Sequence, residues 1–171
     1  MRALPINRIS LAECSLISSL GFAALYFVGF ADDVAGAPIK VGIAGNCLHS
    51  RLHAIQTGNW RTLVLRDALF VQCGDGRVHL RMLRNAVTSD MRRYQKEADE
   101  QPAYVSIVQV ERDVHADLTA KGLRVRGEWF SGGLGPLVEA ARAVIGAGTE
   151  CYDARTMLRR VKLMRIEAGL A

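Results

Sequence analysis

Two short strand-like runs stand close together near the start of the chain, and what lies between them decides how they pair. Ala24 to Phe30 is rich in aromatic and branched residues and reads as a strand. Pro38 to Ile43 alternates, with Ile39, Val41 and Ile43 on one face and Lys40 and Gly42 on the other. The intervening Asp32 to Ala37 carries Gly and Asp, the composition of a loop. The pattern predicts a hairpin with a long connection.

The rest of the chain extends this into an α/β fold: a small mixed sheet with a long-looped N-terminal hairpin, flanking helices and a helical C-terminal tail. A short helix over Ser10 to Ser19 precedes the first strand. Asn46 can cap a helix from about Cys47 to Gln56, with Leu48, Leu52 and Ile55 as its apolar stripe and Gly58 suited to a left-handed stop. Leu63 to Val71 reads as a third strand. Gly74-Asp75-Gly76 turns the chain into a basic helix over about 76–98, striped by Leu80, Leu83, Val87, Met91 and Tyr94. After Pro102, Tyr104 to Val110 alternates like a strand and Glu111 to Ala120 like a helix. Arg126 to Phe130 reads as extended. Pro136 opens a helix to about Ala147. Tyr152 to Ala168 reads as an amphipathic helix with Ala154, Met157, Leu158, Val161 and Met164 inside. Residues 1–21 are an N-terminal helical extension, 22–130 the main domain with the basic helix inserted, and 131–171 a helical C-terminal extension.

Half of the 171 residues are hydrophobic and 23% are charged, ordinary for a globular protein. The net charge of +5 favours a polyanionic partner without proving one. Cys14, Cys47, Cys73 and Cys151 stand too far apart for metal-ligand spacing and are too sparse for a disulfide framework; they read as free thiols of a reducing cytoplasm. The apolar stretch from Ile9 to Phe30 is interrupted by Glu13 and several serines, so a helix and a strand are expected there rather than a leader or a membrane anchor. The glycines at 74 and 76 and at 132, 133 and 135 lack a phosphate-loop ending and read as turns.

Three features point to chemistry. Arg51 falls in the stripe of its helix, where a guanidinium either meets an anion or snorkels to the edge. Glu111 and His115, four apart, share a helix face and read either as a metal ligand with an acid–base group or as a solvated pair. Tyr26 and Lys40 lie on strands that should pair. Arg77, Arg81 and Arg84 on the inserted helix, and Arg155, Arg159 and Lys162 on the last one, form basic ridges that either track a phosphate backbone or face solvent.

The order of these residues resembles the GIY-YIG nuclease superfamily, in its phage T5-type branch. Tyr26 in Ala-Leu-Tyr-Phe-Val matches the first triad, and Lys40-Val41-Gly42 the second, with lysine in place of its tyrosine. Arg51 and the run Gln56-Thr57-Gly58-Asn59 match the following helix and its end. Glu111 matches the metal-binding glutamate, His115 the branch's histidine, and Gly127-Glu128-Trp129-Phe130 its closing motif. The first triad departs from the pattern, since Ala24-Leu25 stand where Gly-Ile is expected.

The resemblance implies a metal-dependent endonuclease that hydrolyses phosphodiester bonds in nucleic acid, DNA ahead of RNA. It places Mg2+ or Mn2+ on Glu111, the reacting phosphate on Arg51, and general-base duty on Tyr26, with His53 and His115 as helpers. Lys40 beside Tyr26 would lower the phenol's pKa. A catalytically silent nucleic-acid-binding protein of the same fold and a small partner-binding α/β protein are the alternatives.

Overall fold

The computed structural model of the protein describes residues 10–33, 36–45, 47–74 and 105–167. The helix expected over 76–98, with Arg77, Arg81 and Arg84, lies outside these residues, as do Asn46 and Tyr104.

Helix α1 (Leu11–Ser19) starts at a capping box: the Ser10 hydroxyl accepts the Glu13 N–H, and the Glu13 carboxylate accepts the Ser10 N–H in return. Strand β1 (Phe22–Phe30) is buried from Phe22 to Gly29, as a run with so few polar side chains requires, and it takes a central place. Strand β2 (Ile39–Ala44) lies antiparallel on one side of it, with Tyr26 opposite Gly42 and Val28 opposite Lys40. Helix α2 (Leu48–Thr57) then leads to β3 (Leu63–Gln72), antiparallel on the other side. The described chain resumes with α3 (Ile107–Ala120), β4 (Arg124–Arg126), β5 (Trp129–Phe130), α4 (Leu134–Ile145), β6 (Cys151–Asp153) and α5 (Ala154–Glu167). The strands form one six-stranded sheet in the order β4-β5-β2-β1-β3-β6.

Helices cover both faces. Ala24, Tyr26 and Val28 point to the layer of α1, α2 and α5, where Cys14, Ile17, Leu48, Leu52, Met157 and Val161 close the core. Leu25 and Phe27 point the other way, with Val41, onto α3 and α4 through Val110, Val114, Leu118, Leu137 and Ala141. A register shift between β1 and β3 at Phe27/Val28 lets Leu63 and Leu65, then Ala68 and Phe70, all face the first layer.

The α/β class and the hairpin are as expected, and several details differ. Every strand pairing is antiparallel, so the sheet is not mixed. The strand expected up to Val110 is instead the start of α3: Ser106 caps it by accepting the Gln109 N–H, and Val110, Val114 and Leu118 give it a helical stripe that outweighs the local alternation. Cys47, not Asn46, holds the N-cap position of α2. Gly58 is right-handed, with φ −82°. The turn after it is held instead by Asn59 Nδ2 on the Ile55 carbonyl, and by the Gln56 amide on the carbonyls of Asn59 and Arg61. Tyr152 and Asp153 belong to β6, and the Asp153 carboxylate accepts the Thr156 N–H at the start of α5. Met164 is exposed, because the apolar face of α5 stops meeting the sheet after Val161. The segment beyond residue 130 is thereby part of the same sheet and the same two layers. No helix among the described residues is long and apolar enough to cross a membrane.

Candidate active site

The site forms where the sheet is incomplete. β5 meets β2 at Ile39 and Lys40, and the Val41 N–H still reaches the Glu128 carbonyl. Beyond that point the outer edge of β2 has no strand partner among the described residues. Residues 41 and 43 direct both N–H and C=O to that edge, a dipeptide repeat of about 6.6–6.8 Å. Two helical side chains four apart are separated by about 6 Å along the axis. Helix α3 exploits this near match: His115 Nε2 lies 3.0 Å from the Val41 carbonyl, and the Glu111 carboxylate is close enough to the Ile43 N–H for that bond to lower its pKa. Since a carbonyl only accepts, Nε2 carries a proton. The His115 ring rests on Phe130.

From the opposite face of the sheet comes Tyr26. Its side chain is fully buried, and its hydroxyl closes no hydrogen bond of good geometry among the described residues, although the Arg51 guanidinium is near enough to act on it as a donor. The ring crosses over Gly42: a β-carbon at that position would lie 2.5 Å from the hydroxyl oxygen and 2.7 Å from Cζ. Only glycine leaves the phenol its place. Burial pushes the Tyr26 pKa above its ordinary value; the nearby Arg51 guanidinium pulls it back without prevailing, and the charges of Glu128 and Glu111 add to the rise.

Arg51 reaches the cluster from α2. It is exposed, not pressed against the sheet, so neither forced burial nor a core role accounts for it. The same guanidinium acts on the pKa of Glu111 and of Glu128. Burial raises the Glu111 pKa, and Glu128 adds to this; His115 and Arg51 oppose it. Glu128 behaves in the reverse way. Burial alone would raise its pKa, but Lys40, His115 and Arg51 together bring it below the ordinary carboxylate value.

Lys40 forms an ion pair with Glu128. The register explains why: Lys40 stands opposite Val28, one dipeptide beyond Gly42, next to Trp129 on the β5 side. The cation that chiefly opposes the rise in the Tyr26 pKa is Arg51, and the phenol's pKa is raised, not lowered. No protein-family model, curated protein or solved structure matches the chain.

Tyr26, Arg51, Glu111, His115, Glu128 and Lys40 are thus brought to one edge of the sheet. His53 is exposed on α2 and takes no part in these interactions. Arg155, Arg159 and Lys162 are exposed along α5 and form no ion pair among the described residues. Two contributions were not legible beforehand. Glu128 stood inside a motif, but its pairing with Lys40 depends on the β2–β5 register. Trp60, 94% exposed, sits on the turn after α2 that Gln56 and Asn59 hold in place. An exposed tryptophan beside Gly58-Asn59 was the available signal.

No group of three or more His, Cys, Asp or Glu side chains among the described residues could hold a metal. Mg2+ does not need one: it keeps several waters and is bound through one or two carboxylates and substrate phosphates. Glu111, partly buried with a raised pKa and no ion pair of its own among the described residues, is the carboxylate that a cation would relieve. Glu128 is already neutralised by Lys40.

Proposed function

We propose that the protein is a metal-dependent endonuclease of the GIY-YIG type, hydrolysing phosphodiester bonds in nucleic acid, DNA ahead of RNA. The observation that carries this reading is the meeting of Tyr26, Arg51 and Glu111, from three separate elements, at the open edge of β2. A structural role would have left Arg51 in a closed ion pair, and it forms none among the described residues; its guanidinium instead acts on the Tyr26 hydroxyl.

In this reading Glu111 would be the carboxylate that holds Mg2+ or Mn2+. Such an ion acidifies bound water and neutralises charge on the phosphate. Arg51, exposed on α2, takes the other phosphate oxygens in a two-pronged contact. Tyr26 Oη accepts the proton of the attacking water. Burial keeps its own proton on at neutral pH, so the positive charges gathered around the phosphate must bring the phenol into range. Lys40 keeps Glu128 ionised and fixed, and His115 braces the β2 edge that carries Gly42. The exposed Arg155, Arg159 and Lys162 offer a path for the phosphate backbone outside the site.

Cleavage of supercoiled and linear DNA and of RNA, with Mg2+, with Mn2+ and with chelator, tests the reading. Metal-dependent cleavage that is lost in Glu111→Gln supports it. Tight, salt-sensitive binding without cleavage in any metal would make the protein a silent binding fold instead.

A further inference from the structure

Two of the four cysteines meet at the start of α2, although nothing in their spacing suggests it. Cys14 lies on the inner face of α1, and Cys47 holds the N-cap position of α2. The backbone N–H of His49 is 3.3 Å from Cys14 Sγ, and the same amide also acts on the Cys47 sulfur. The Ser50 hydroxyl is 3.4 Å from Cys47 Sγ. Cys47 packs against the core cluster that holds Cys14, so both sulfurs gather at the first turn of α2. Cys14 is only 3% exposed, whereas Cys47 is half-buried and opens toward solvent beside exposed Ser50.

We propose that Cys47 and Cys14 are a peroxide-oxidised thiol pair, Cys47 the attacking sulfur and Cys14 the resolving one, whose disulfide ties α1 to the start of α2. The division of labour follows from place. The first N–H groups of a helix point at its N-cap and favour a thiolate there. Around the Cys47 sulfur stand the Ser50 hydroxyl and the N–H groups of the first turn of α2, although it closes no cap hydrogen bond of its own. These outweigh the burial that alone would raise its pKa, and the net shift is downward. Cys14 has its pKa pushed up to about 11, first by burial and then by facing Cys47, so it keeps the proton and donates it.

The chemistry balances. The Cys47 thiolate attacks one oxygen of hydrogen peroxide, the O–O bond breaks, and the departing hydroxide takes a proton and leaves as water. Cys47 is now a sulfenic acid, oxidised by two electrons, and the peroxide is reduced. The Cys14 sulfur then attacks Cys47 Sγ. The S–O bond breaks, and the Cys14 proton leaves with the hydroxide as a second water. Cys73 and Cys151 serve as internal controls. Both have pKa values raised by burial, and neither has another cysteine among the groups acting on it.

The test is peptide mapping of the full chain after treatment with equimolar hydrogen peroxide. The expected result is loss of two titratable thiols, a Cys14–Cys47 cross-linked peptide, and Cys73 and Cys151 still open to alkylation. In Cys14→Ser, dimedone should label Cys47; in Cys47→Ser, Cys14 should stay reduced. A wild-type chain in which Cys73 or Cys151 oxidises first, or in which Cys47 proceeds to sulfinic acid without linking to Cys14, overturns the proposal. The wild-type arm decides the question even if a variant fails to fold, and it does not depend on any nuclease activity.

Discussion

The phenol of Tyr26 lies across the α-carbon of Gly42, its partner in the neighbouring strand, so closely that a methyl group there would stand 2.5 Å from the hydroxyl oxygen. A buried tyrosine and a strand glycine thus form one unit, and each tests the other.

Gly42→Ala should overpack the site and displace the ring. The expected cost is about 1–3 kcal/mol, or a melting temperature lower by about 2–4 °C for each kcal/mol, together with loss of cleavage. Tyr26→Phe removes a buried hydroxyl that closes no hydrogen bond of good geometry among the described residues, so it should leave stability unchanged or raised. Under the proposed mechanism it should also slow cleavage by about 10²–10⁴. Calorimetry and a cleavage assay on both variants check this. A Tyr26→Phe protein that melts much lower would mean that the hydroxyl is satisfied in solution and structural.

Glu111 carries a pH signature. Its pKa is raised in the fold, so the folded protein holds the proton more tightly than the unfolded chain does. Its contribution to stability is therefore most favourable at acid pH and declines as the pH rises through the ordinary carboxylate range to the raised value. Glu111→Gln should be more stable than wild type at pH 7, with the gap closing toward pH 4. Mg2+ should raise the melting temperature of the wild type and leave Glu111→Gln unmoved. Denaturant titrations at both pH values and melts with and without Mg2+ would show it. An equal Mg2+ effect on both proteins moves the metal elsewhere, with Glu128 the next carboxylate to examine.

Arg51 is the leading cation acting on Tyr26. Arg51→Met should therefore shift the rising limb of the pH–rate profile upward, and Arg51→Lys should still cut poorly for want of the two-pronged contact. Lys40→Met should leave that limb in place and instead raise the Glu128 pKa, readable by carboxyl NMR. If Lys40→Met moves the limb as far as Arg51→Met does, the site rearranges when substrate binds.

Trp60 offers nearly its whole surface to solvent from a turn that Gln56 and Asn59 hold in place. Such a residue suits stacking on a nucleobase. Trp60→Ala should weaken nucleic-acid binding by about 1–3 kcal/mol with no change in melting temperature. Quenching of Trp60 fluorescence by oligonucleotide is the direct readout; full binding by the alanine variant would assign the residue to something else.

Neutralising Arg155, Arg159 and Lys162 together should lower affinity for every sequence alike and flatten its dependence on salt by about 0.7–0.9 in log–log slope for each lost phosphate contact. An unchanged slope would leave the ridge as a solvated face of α5.

How much was legible differs by residue. Strands β1 and β2 followed from composition and alternation, and α2 from its apolar stripe, which are local properties of the chain. Tyr26, Lys40 and Gly42 on one face of a hairpin followed from the period of a strand. The α3 stripe Val110, Val114 and Leu118 was also present in the sequence, but a competing alternation masked it until packing chose between them. What no local pattern contained was the register. Whether Lys40 meets Tyr26 or Glu128 turns on where β5 ends along β2, and that is set by contacts between segments far apart in the chain. The same holds for Glu111 and His115 on the open edge of β2 and for Cys14 beside Cys47. Residue types and their periods determined which elements form and which faces they bury. Only the tertiary structure decided which charges neighbour which, because Coulomb and hydrogen-bond energies depend on separation in space, and that separation is settled by the packing of the two helical layers on the sheet.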